Sequence, residues 1–437
     1  MENTPARKDT GDFQFPWSQN ITDRKRNTTL HMDESQINNI LSKIPGSKRA
    51  AQGVLIPFED GSFYHVQGII SKDESEGLST EETFFCAFCS KNEILRLRNL
   101  RGAHDYLLRL RANALVDSPR AVRVMRERRK EIEKSGRHWS LSQYYHSKDH
   151  YHKSYIGYLS RNNAKILKGI PAGLAFIPEA NAVCIRSLAG DVVIASESLE
   201  HFYYFMSIAF YGSQLGIHLI DREHAVLIAV RIMSGVEALD FEIDPRAILP
   251  LETERTINTL VKHQMQFTFG HEYAHHLCGH MSSPETCFDA ISPETSIFNR
   301  NALRLYNYDL EYQADLNSLM NIQNDPNAYA QVAMGAFSVL LYLHFLHDVW
   351  EKLGLKRFSV SETHPSAIDR LKKLIQGLGK KSPVSEKELE DSLALSNDLS
   401  AIFVRQLERG RDDALTFYGS VYLPSYISKL KRDRIDF

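Results

Sequence analysis

The sequence predicts a predominantly helical α+β protein with a short β-sheet. From residue 199 onward, long runs carry apolar residues at helical spacing, whereas residues 161–200 hold three short β-like runs. Over 437 residues, 43% hydrophobic and 24% charged residues are ordinary for a globular chain of two or three domains. Five cysteines exclude a disulfide scaffold, and a net charge of −2 excludes a chain that is basic throughout.

The first 50 residues are polar, and we expect a disordered tail there. They contain no apolar segment typical of a secretory signal, so we expect a reduced, cytoplasmic protein. The next stretch predicts a β-hairpin, because Asp60-Gly61 separates two apolar runs in GVLIPFEDGSFYHVQGII.

Residues 91–137 predict basic helices, with Ser118-Pro119 restarting the helical pattern after a break. They hold 14 Lys and Arg against 6 Asp and Glu, a local excess of 8 positive charges. The favoured interpretation is a solvated helical face balanced by acidic residues elsewhere. The alternative is a surface for nucleic acid or an acidic partner.

Two smaller groups of residues have only weak functional interpretations. Cys86 and Cys89 form a single CxxC, which we interpret as two buried thiols. His146, His150 and His152 lie in YYHSKDHYHK, which we interpret as a polar loop.

Three β-like runs, AGLAFIP, NAVCIRS and DVVIASES, precede the helical part of the chain. The helices that follow include LETERTINTLVKHQMQFTFGHEYAHHLCGH and RLYNYDLEYQADLNSLMNI, and later PSAIDRLKKLIQGL. Residues 325–348 contain an apolar run without Asp, Glu, Lys or Arg between their two terminal aspartates. Because that run includes Asn, Gln, Ser and His, we predict a buried helix and no membrane span.

The motif HEYAH at residues 271–275 predicts a metal site. On a helix, His271 and His275 lie on one face and can bind one Zn²⁺, with Glu272 placed to take a proton from an activated water. The preceding QFTFG makes this helix apolar, which distinguishes it from a chance match on a solvated surface.

A second motif, EYQAD, supplies the remaining acidic groups. Glu311 and Asp315 are four residues apart and share a helical face. Glu311 would complete a site of two histidines and one glutamate for one Zn²⁺ per chain, and Asp315 could accept the Nδ1 hydrogen of a liganding histidine. We interpret His276 and His280 as structural, and expect His280 to face away from His275.

These motifs resemble the gluzincin metallopeptidases, most closely the group of CAAX-prenyl proteases and HtpX-type peptidases. The resemblance covers roughly residues 165–375 and includes NAVCIRSLAGDVVIASESLE, DPNAYAQVAMGAF and ETHPSAIDRLKKL. The sequence is also similar, more distantly, to the phage-exclusion and ImmA-type peptidases. The resemblance implies a zincin-like core whose edge strand, near residues 191–196, binds an extended substrate.

The resemblance also implies individual roles. His271, His275 and Glu311 would be zinc ligands, Glu272 the general base and Asp315 the outer carboxylate. His364 would act in the cleft as a catalytic group that stabilises the oxyanion. Arg370 and Tyr312 are further candidates for an oxyanion or substrate contact.

The sequence departs from the family at several points. Gln313 stands where a glutamate is usual, extra apolar helices occupy 201–236, and the membrane helices of HtpX-type enzymes have no counterpart. The predicted organisation is a tail (1–50), an N-terminal domain of unknown role (51–160), a metallopeptidase domain (161–378) and a helical extension (379–437).

The predicted function is zinc-dependent hydrolysis of peptide or protein substrates. The alternative is a regulatory protein whose working surface is the basic segment 91–137, with nucleic acid as a less favoured partner. The sequence does not specify an oligomeric state.

Overall fold

The structure is a computed structural model that describes residues 34–50, 54–57, 63–66, 76–116, 118, 121–282, 308–354, 365–407 and 411–427. It is 66% helical with small sheets, which confirms the predicted predominantly helical α+β class. The chain divides into two compact units, Met1–Cys86 and Ala87–Phe437. The sequence instead predicts boundaries after residues 50, 160 and 378.

The first unit contains a small antiparallel sheet and short helices. Its elements are α1 (Glu34–Lys43), β1 (Lys48–Arg49), β2 (Val54–Pro57), β3 (Phe63–Val66) and α2 (Thr80–Phe84). The strands follow the order β1-β2-β3, and the register of β2 with β3 runs from Val54↔Val66 to Pro57↔Phe63. The predicted hairpin pairing is therefore present, although Asp60-Gly61 lies outside the described residues.

Helix α1 lies where the sequence predicts a tail. Its Ile37 and Ile40 are buried together with Val54 of β2. Leu41 and Ile44 pack against the same cluster, so the few apolar residues of this polar segment share one face that covers the sheet. The tail prediction therefore fails for residues 34–50.

The second unit begins with six helices that lead into its sheet. They are α3 (Lys91–Leu97), α4 (Ala103–Val116), α5 (Ala121–Lys134), α6 (Leu141–Lys148), α7 (His150–Gly157) and α8 (Arg161–Leu167). Helices α6 and α7 occupy the segment interpreted as a polar loop. That interpretation is wrong, because the tyrosines between the polar residues are buried: Tyr144, Tyr145, Tyr151 and Tyr155.

The sheet of the second unit has three strands in the order β4-β6-β5. They are β4 (Ala172–Ala175), β5 (Ala182–Ser187) and β6 (Gly190–Ser196). β6 pairs with β4 in parallel and with β5 in antiparallel orientation. The prediction of an edge strand at 191–196 is therefore wrong, and β4 and β5 are the outer strands. The run Val192–Ala195 is wholly buried, as a central strand requires.

Helices form the rest of the second unit. They are α9 (Glu197–Tyr211), α10 (Leu219–Met233), α11 (Leu251–Leu277), α12 (Tyr308–Met320), α13 (Pro326–Lys352), α14 (Ala367–Leu378), α15 (Glu386–Leu407), α16 (Arg411–Thr416) and α17 (Pro424–Ile427). The two 27-residue helices, α11 and α13, pack closely where Gly335 meets the backbone of His263. A Cβ on Gly335 would lie 2.6 Å from the His263 carbonyl oxygen, so this approach requires glycine.

Helix α13 is the predicted buried helix. Among the described residues, it alone is long and apolar enough to cross a membrane by those two measures. However, 67% of its most apolar window is buried inside the protein. Burial of that extent is what the core helix of a folded domain shows.

Candidate metal centre

The long helix α11 carries the first two candidate ligands near its C-terminal end. Glu252 and Glu254 lie in its first turn, where the positive end of the helix dipole stabilises their carboxylates. Every residue from His263 to Ala274 is buried. Because His271 and His275 are one turn apart, their Nε2 atoms come within 3.1 Å of each other.

Helix α12 brings Glu311 to the same point. Its Oε2 lies 3.4 Å from His271 Nε2, and its Oε1 lies 3.4 Å from His275 Nε2. The ligand atoms of His271, His275 and Glu311 all lie within 4.8 Å of one another. Two imidazole nitrogens and a carboxylate oxygen converging in this way fit the donor set of a Zn²⁺ site with three protein ligands. Glu272, beside His271 on α11, is 9% exposed.

The Nδ1 nitrogen of His271, which is the ring nitrogen that does not face Glu311, lies against a buried ion pair. His271 Nδ1 lies 2.9 Å from Asp315 Oδ1, the contact that the i, i+4 spacing of Glu311 and Asp315 predicts. Asp315 in turn accepts two hydrogen bonds from Arg370 of α14, from Nε at 2.8 Å and from Nη2 at 2.6 Å. Asp315 is 1% and Arg370 9% exposed, so this guanidinium fixes a carboxylate that is shielded from water.

This ion pair governs the protonation of His271 in the metal-free protein. Burial lowers the pKa of His271, but hydrogen bonds and charge from Asp315 and Glu311 outweigh it and raise the pKa to about 10. Burial raises the pKa of Asp315, but the charge and hydrogen bonds of Arg370 outweigh it and hold that pKa at about 2. Asp315 is therefore an anion at neutral pH, and it favours a proton or a metal ion on His271.

The Nδ1 nitrogen of His275 has a different environment from that of His271. Its Nδ1 lies 3.0 Å from Nδ1 of His280, and Nε2 of His280 lies 3.4 Å from Oε1 of Gln313. Burial and the charge of His271 lower the pKa of His275 to about 3, so its ring is neutral at neutral pH.

The contact between His275 and His280 contradicts the expectation that His280 faces away. Helix α11 ends at Leu277, and Gly279 adopts a φ of 76° that turns the chain back on itself. A continuous helix would carry position 280 away from His275. The glycine just past the helix end is the sequence signal that could have revealed this turn.

A tyrosine of α7 helps to hold the two ligand-bearing helices together. The Tyr155 hydroxyl donates a 2.7 Å hydrogen bond to the Ser318 carbonyl of α12, and its ring stacks on Tyr273 of α11. A Cβ on Gly270 would lie 2.6 Å from that ring. Only a residue without a side chain fits before His271, a requirement that the motif itself does not reveal.

The sheet also contacts α11 beside the site. His276 Nδ1 lies 2.5 Å from Oδ2 of Asp191 on β6, and Asp191 also pairs with Arg186 on β5. Burial raises the pKa of Asp191, but the hydrogen bonds from Arg186 and His276 outweigh it and lower the pKa. His276 thus links α11 to the sheet, in keeping with the structural interpretation of this residue.

Of the three predicted oxyanion or substrate groups, the structure describes Arg370 and Tyr312. The two Arg370 donors described above are directed to Asp315, which favours a supporting role over a substrate contact. Among the described contacts of Tyr312, the ring lies 6.0 Å from Lys373 Nζ, and none joins its hydroxyl to the ligand cluster. His364 lies outside the described residues.

Eight basic residues of the segment 91–137 have carboxylate partners. Arg128 is buried between Glu197 and Glu242, and Arg111 lies 3.6 Å from Asp149. Six further basic residues of this segment have carboxylate partners: Arg96, Arg123, Arg126, Arg129, Lys130 and Lys134. Arg128, Arg111 and Arg123 pair with acids outside the segment, whereas the other five pair within it and leave its excess positive charge unchanged. Both interpretations of this segment therefore stay predictions.

A family model described as Peptidase U49 matches residues 242–385, about a third of the 437-residue chain. The matched stretch contains both histidines, Glu272, Glu311, Asp315 and Arg370. The match supports a peptidase, and hence a hydrolase. It does not include the sheet, and the resemblance to CAAX-prenyl and HtpX-type enzymes stays a prediction. Neither a search of curated proteins nor a search of solved structures found a match.

Proposed function

We propose that this chain is a zinc-dependent metalloendopeptidase that cleaves peptide bonds in protein substrates. The observation that carries the proposal is the convergence of His271, His275 and Glu311 within 4.8 Å, with Glu272 directly after His271 on α11. The Peptidase U49 match to 242–385 supports the same chemistry, because it covers all of these residues.

In this proposal His271, His275 and Glu311 would hold the zinc ion. When bound, the ion supplies Lewis acidity, which polarises a peptide carbonyl and lowers the pKa of water. Asp315 and Arg370 hold the His271 ring in the orientation that presents Nε2 to the site.

Glu272 acts as the general base and then as the general acid. Its carboxylate takes a proton from the attacking water as the water oxygen bonds to the peptide carbon. It then gives that proton to the leaving amine nitrogen as the C–N bond breaks. Glu272 lies on α11 directly after His271 and is buried, and the HEYAH spacing assigns it the role of base.

The test pairs metal analysis with one matched substitution. Glu272→Gln removes the base and keeps the shape, so we expect one zinc per chain but a loss of cleavage of about 10²- to 10⁴-fold on a denatured protein substrate. Glu252→Gln, an exposed change on the same helix, is the control and should cleave like the wild type.

Two results would sink the proposal. One is a wild-type protein that binds no zinc after chelation and reconstitution. The other is stoichiometric zinc without cleavage that depends on Glu272.

A further inference from the structure

We propose that His280 and Gln313 form a neutral hydrogen-bonded chain that positions His275 as a metal ligand. The inference rests on the proposed function in one respect, namely that His275 binds zinc. It assigns to His280 a positioning role that the HEYAH and EYQAD motifs do not contain.

The geometry places three groups in sequence. His275 Nε2 faces His271 Nε2 and Glu311, so the other ring nitrogen of His275, Nδ1, points out of the cluster. That nitrogen lies 3.0 Å from His280 Nδ1, and the far side of the His280 ring lies 3.4 Å from Gln313 Oε1. His280 is 8% exposed, so water has little access to compete for its contact with His275.

Metal binding allows one direction for the hydrogen bonds in this chain. A neutral imidazole carries one N–H, and a ligand needs its lone pair on the nitrogen that faces the metal. His275 must therefore carry its hydrogen on Nδ1, which donates to Nδ1 of His280. His280 then carries its own hydrogen on Nε2, which donates to the carbonyl oxygen Oε1 of Gln313.

The reverse direction would put the hydrogen of His275 on Nε2 and block ligation. The chain from Gln313 through His280 thus selects the tautomer of His275 that can bind a metal. An outer hydrogen-bond partner of this kind fixes both the tautomer and the ring orientation of a ligand.

The experiment measures zinc affinity by competition with a chromophoric chelator, using the full-length protein. For His280→Ala we expect a loss of about 10- to 100-fold in affinity, because loss of an outer partner leaves the ligand ring unoriented. His280→Asn should restore most of the affinity, because its Oδ1 can accept from His275 at the place of the imidazole Nδ1. Gln313→Ala should have a smaller effect, since Gln313 is exposed and water can replace its oxygen.

His146→Ala is the control. It removes a histidine whose side chain is 77% exposed and whose described partners are Asp149 and Lys153, so it should leave zinc affinity unchanged. A second readout is the visible spectrum of the Co²⁺-substituted protein. That spectrum should change in His280→Ala and return toward wild type in His280→Asn, and it reports ligand geometry independently of cleavage.

The outcomes separate this inference from the proposed function. If the wild type binds zinc and cleaves, but His280→Ala binds zinc equally well with an unchanged Co²⁺ spectrum, the positioning role is overturned and the protease proposal stands. Equal losses in His280→Ala and His280→Asn would also overturn it, because the accepting atom would then not be what matters. A wild-type protein that binds no zinc would contradict both the positioning role of His280 and the protease proposal.

Discussion

The two candidate histidine ligands lie one helical turn apart, but their Nδ1 atoms contact groups of different charge. His271 faces a buried ion pair of Asp315 and Arg370, whereas His275 faces a chain of neutral groups, His280 and Gln313. The pKa of the first histidine is raised to about 10, and that of the second is lowered to about 3.

The difference shows how one site can orient two ligands without burying two uncompensated charges. A second carboxylate behind His275 would need a second buried cation, because isolated buried ions cost several kcal/mol. A neutral imidazole satisfies the same ring nitrogen without that cost. The ion pair therefore serves one ligand and the neutral chain serves the other.

The largest expected effect comes from removing the ion pair between Arg370 and Asp315. Arg370→Leu removes the guanidinium that donates two hydrogen bonds to buried Asp315 and leaves protonated His271 as its remaining described cation, and we expect the free energy of unfolding of the metal-free protein to fall by up to about 3–5 kcal/mol. Urea denaturation at pH 7 measures this change. Arg255→Ala, which breaks an exposed pair with Glu252, is the control and should change stability by less than about 1 kcal/mol. An equally small effect of Arg370→Leu would mean that the ion pair is not what supports His271.

A smaller effect should follow from disturbing the frame that both histidines share. Gly270→Ala places a methyl group 2.6 Å from the Tyr155 ring, so the ring or α11 must shift. We expect a loss of stability of about 1–3 kcal/mol and weaker zinc binding, since both ligands follow on the same helix. Gly102→Ala is the control, because a Cβ there meets no atom within 4 Å. Unchanged zinc affinity in Gly270→Ala would show that the site tolerates movement of α11.

The subtlest effect is the dependence of stability on pH in the metal-free protein. The raised pKa of His271 stabilises the fold below its ordinary pKa of 6.5, and this contribution is lost as pH rises through about 10. The lowered pKa of His275 acts oppositely, since it costs stability as pH falls from 6.5 toward 3. In chelator-treated protein, His271→Gln should therefore flatten the alkaline limb of the stability curve and His275→Gln the acidic limb. If both variants flattened the same limb, the contrast between the two histidines would be wrong.

Much of the candidate site could be predicted from local spacing. The i, i+4 pairs His271/His275 and Glu311/Asp315 each share a helical face because the helix repeats every 3.6 residues. That rule holds only while the helix continues. It failed at His280, because α11 ends at Leu277 and the chain reverses at Gly279.

The sheet of the second unit is a further case in which local sequence pattern does not give the contacts between separate segments. An alternating or apolar run predicts that β4, β5 and β6 are strands, but the order of strands depends on pairing between distant segments. The family resemblance implies that 191–196 is an edge strand. In the structure β4 pairs with β6 and makes it central.

The sequence by itself determined the helical α+β class, the three candidate ligands, the candidate base Glu272 and the carboxylate Asp315, because periodicity and residue chemistry are local properties. Only the tertiary structure decided which of the two histidines Asp315 contacts, and that Arg370 and His280 complete the surroundings of the site. Arg370 lies 55 residues from Asp315 in the chain, and His280 reaches His275 only through a turn. Such contacts follow from burial and charge pairing between separate elements, and no spacing rule along one helix specifies them.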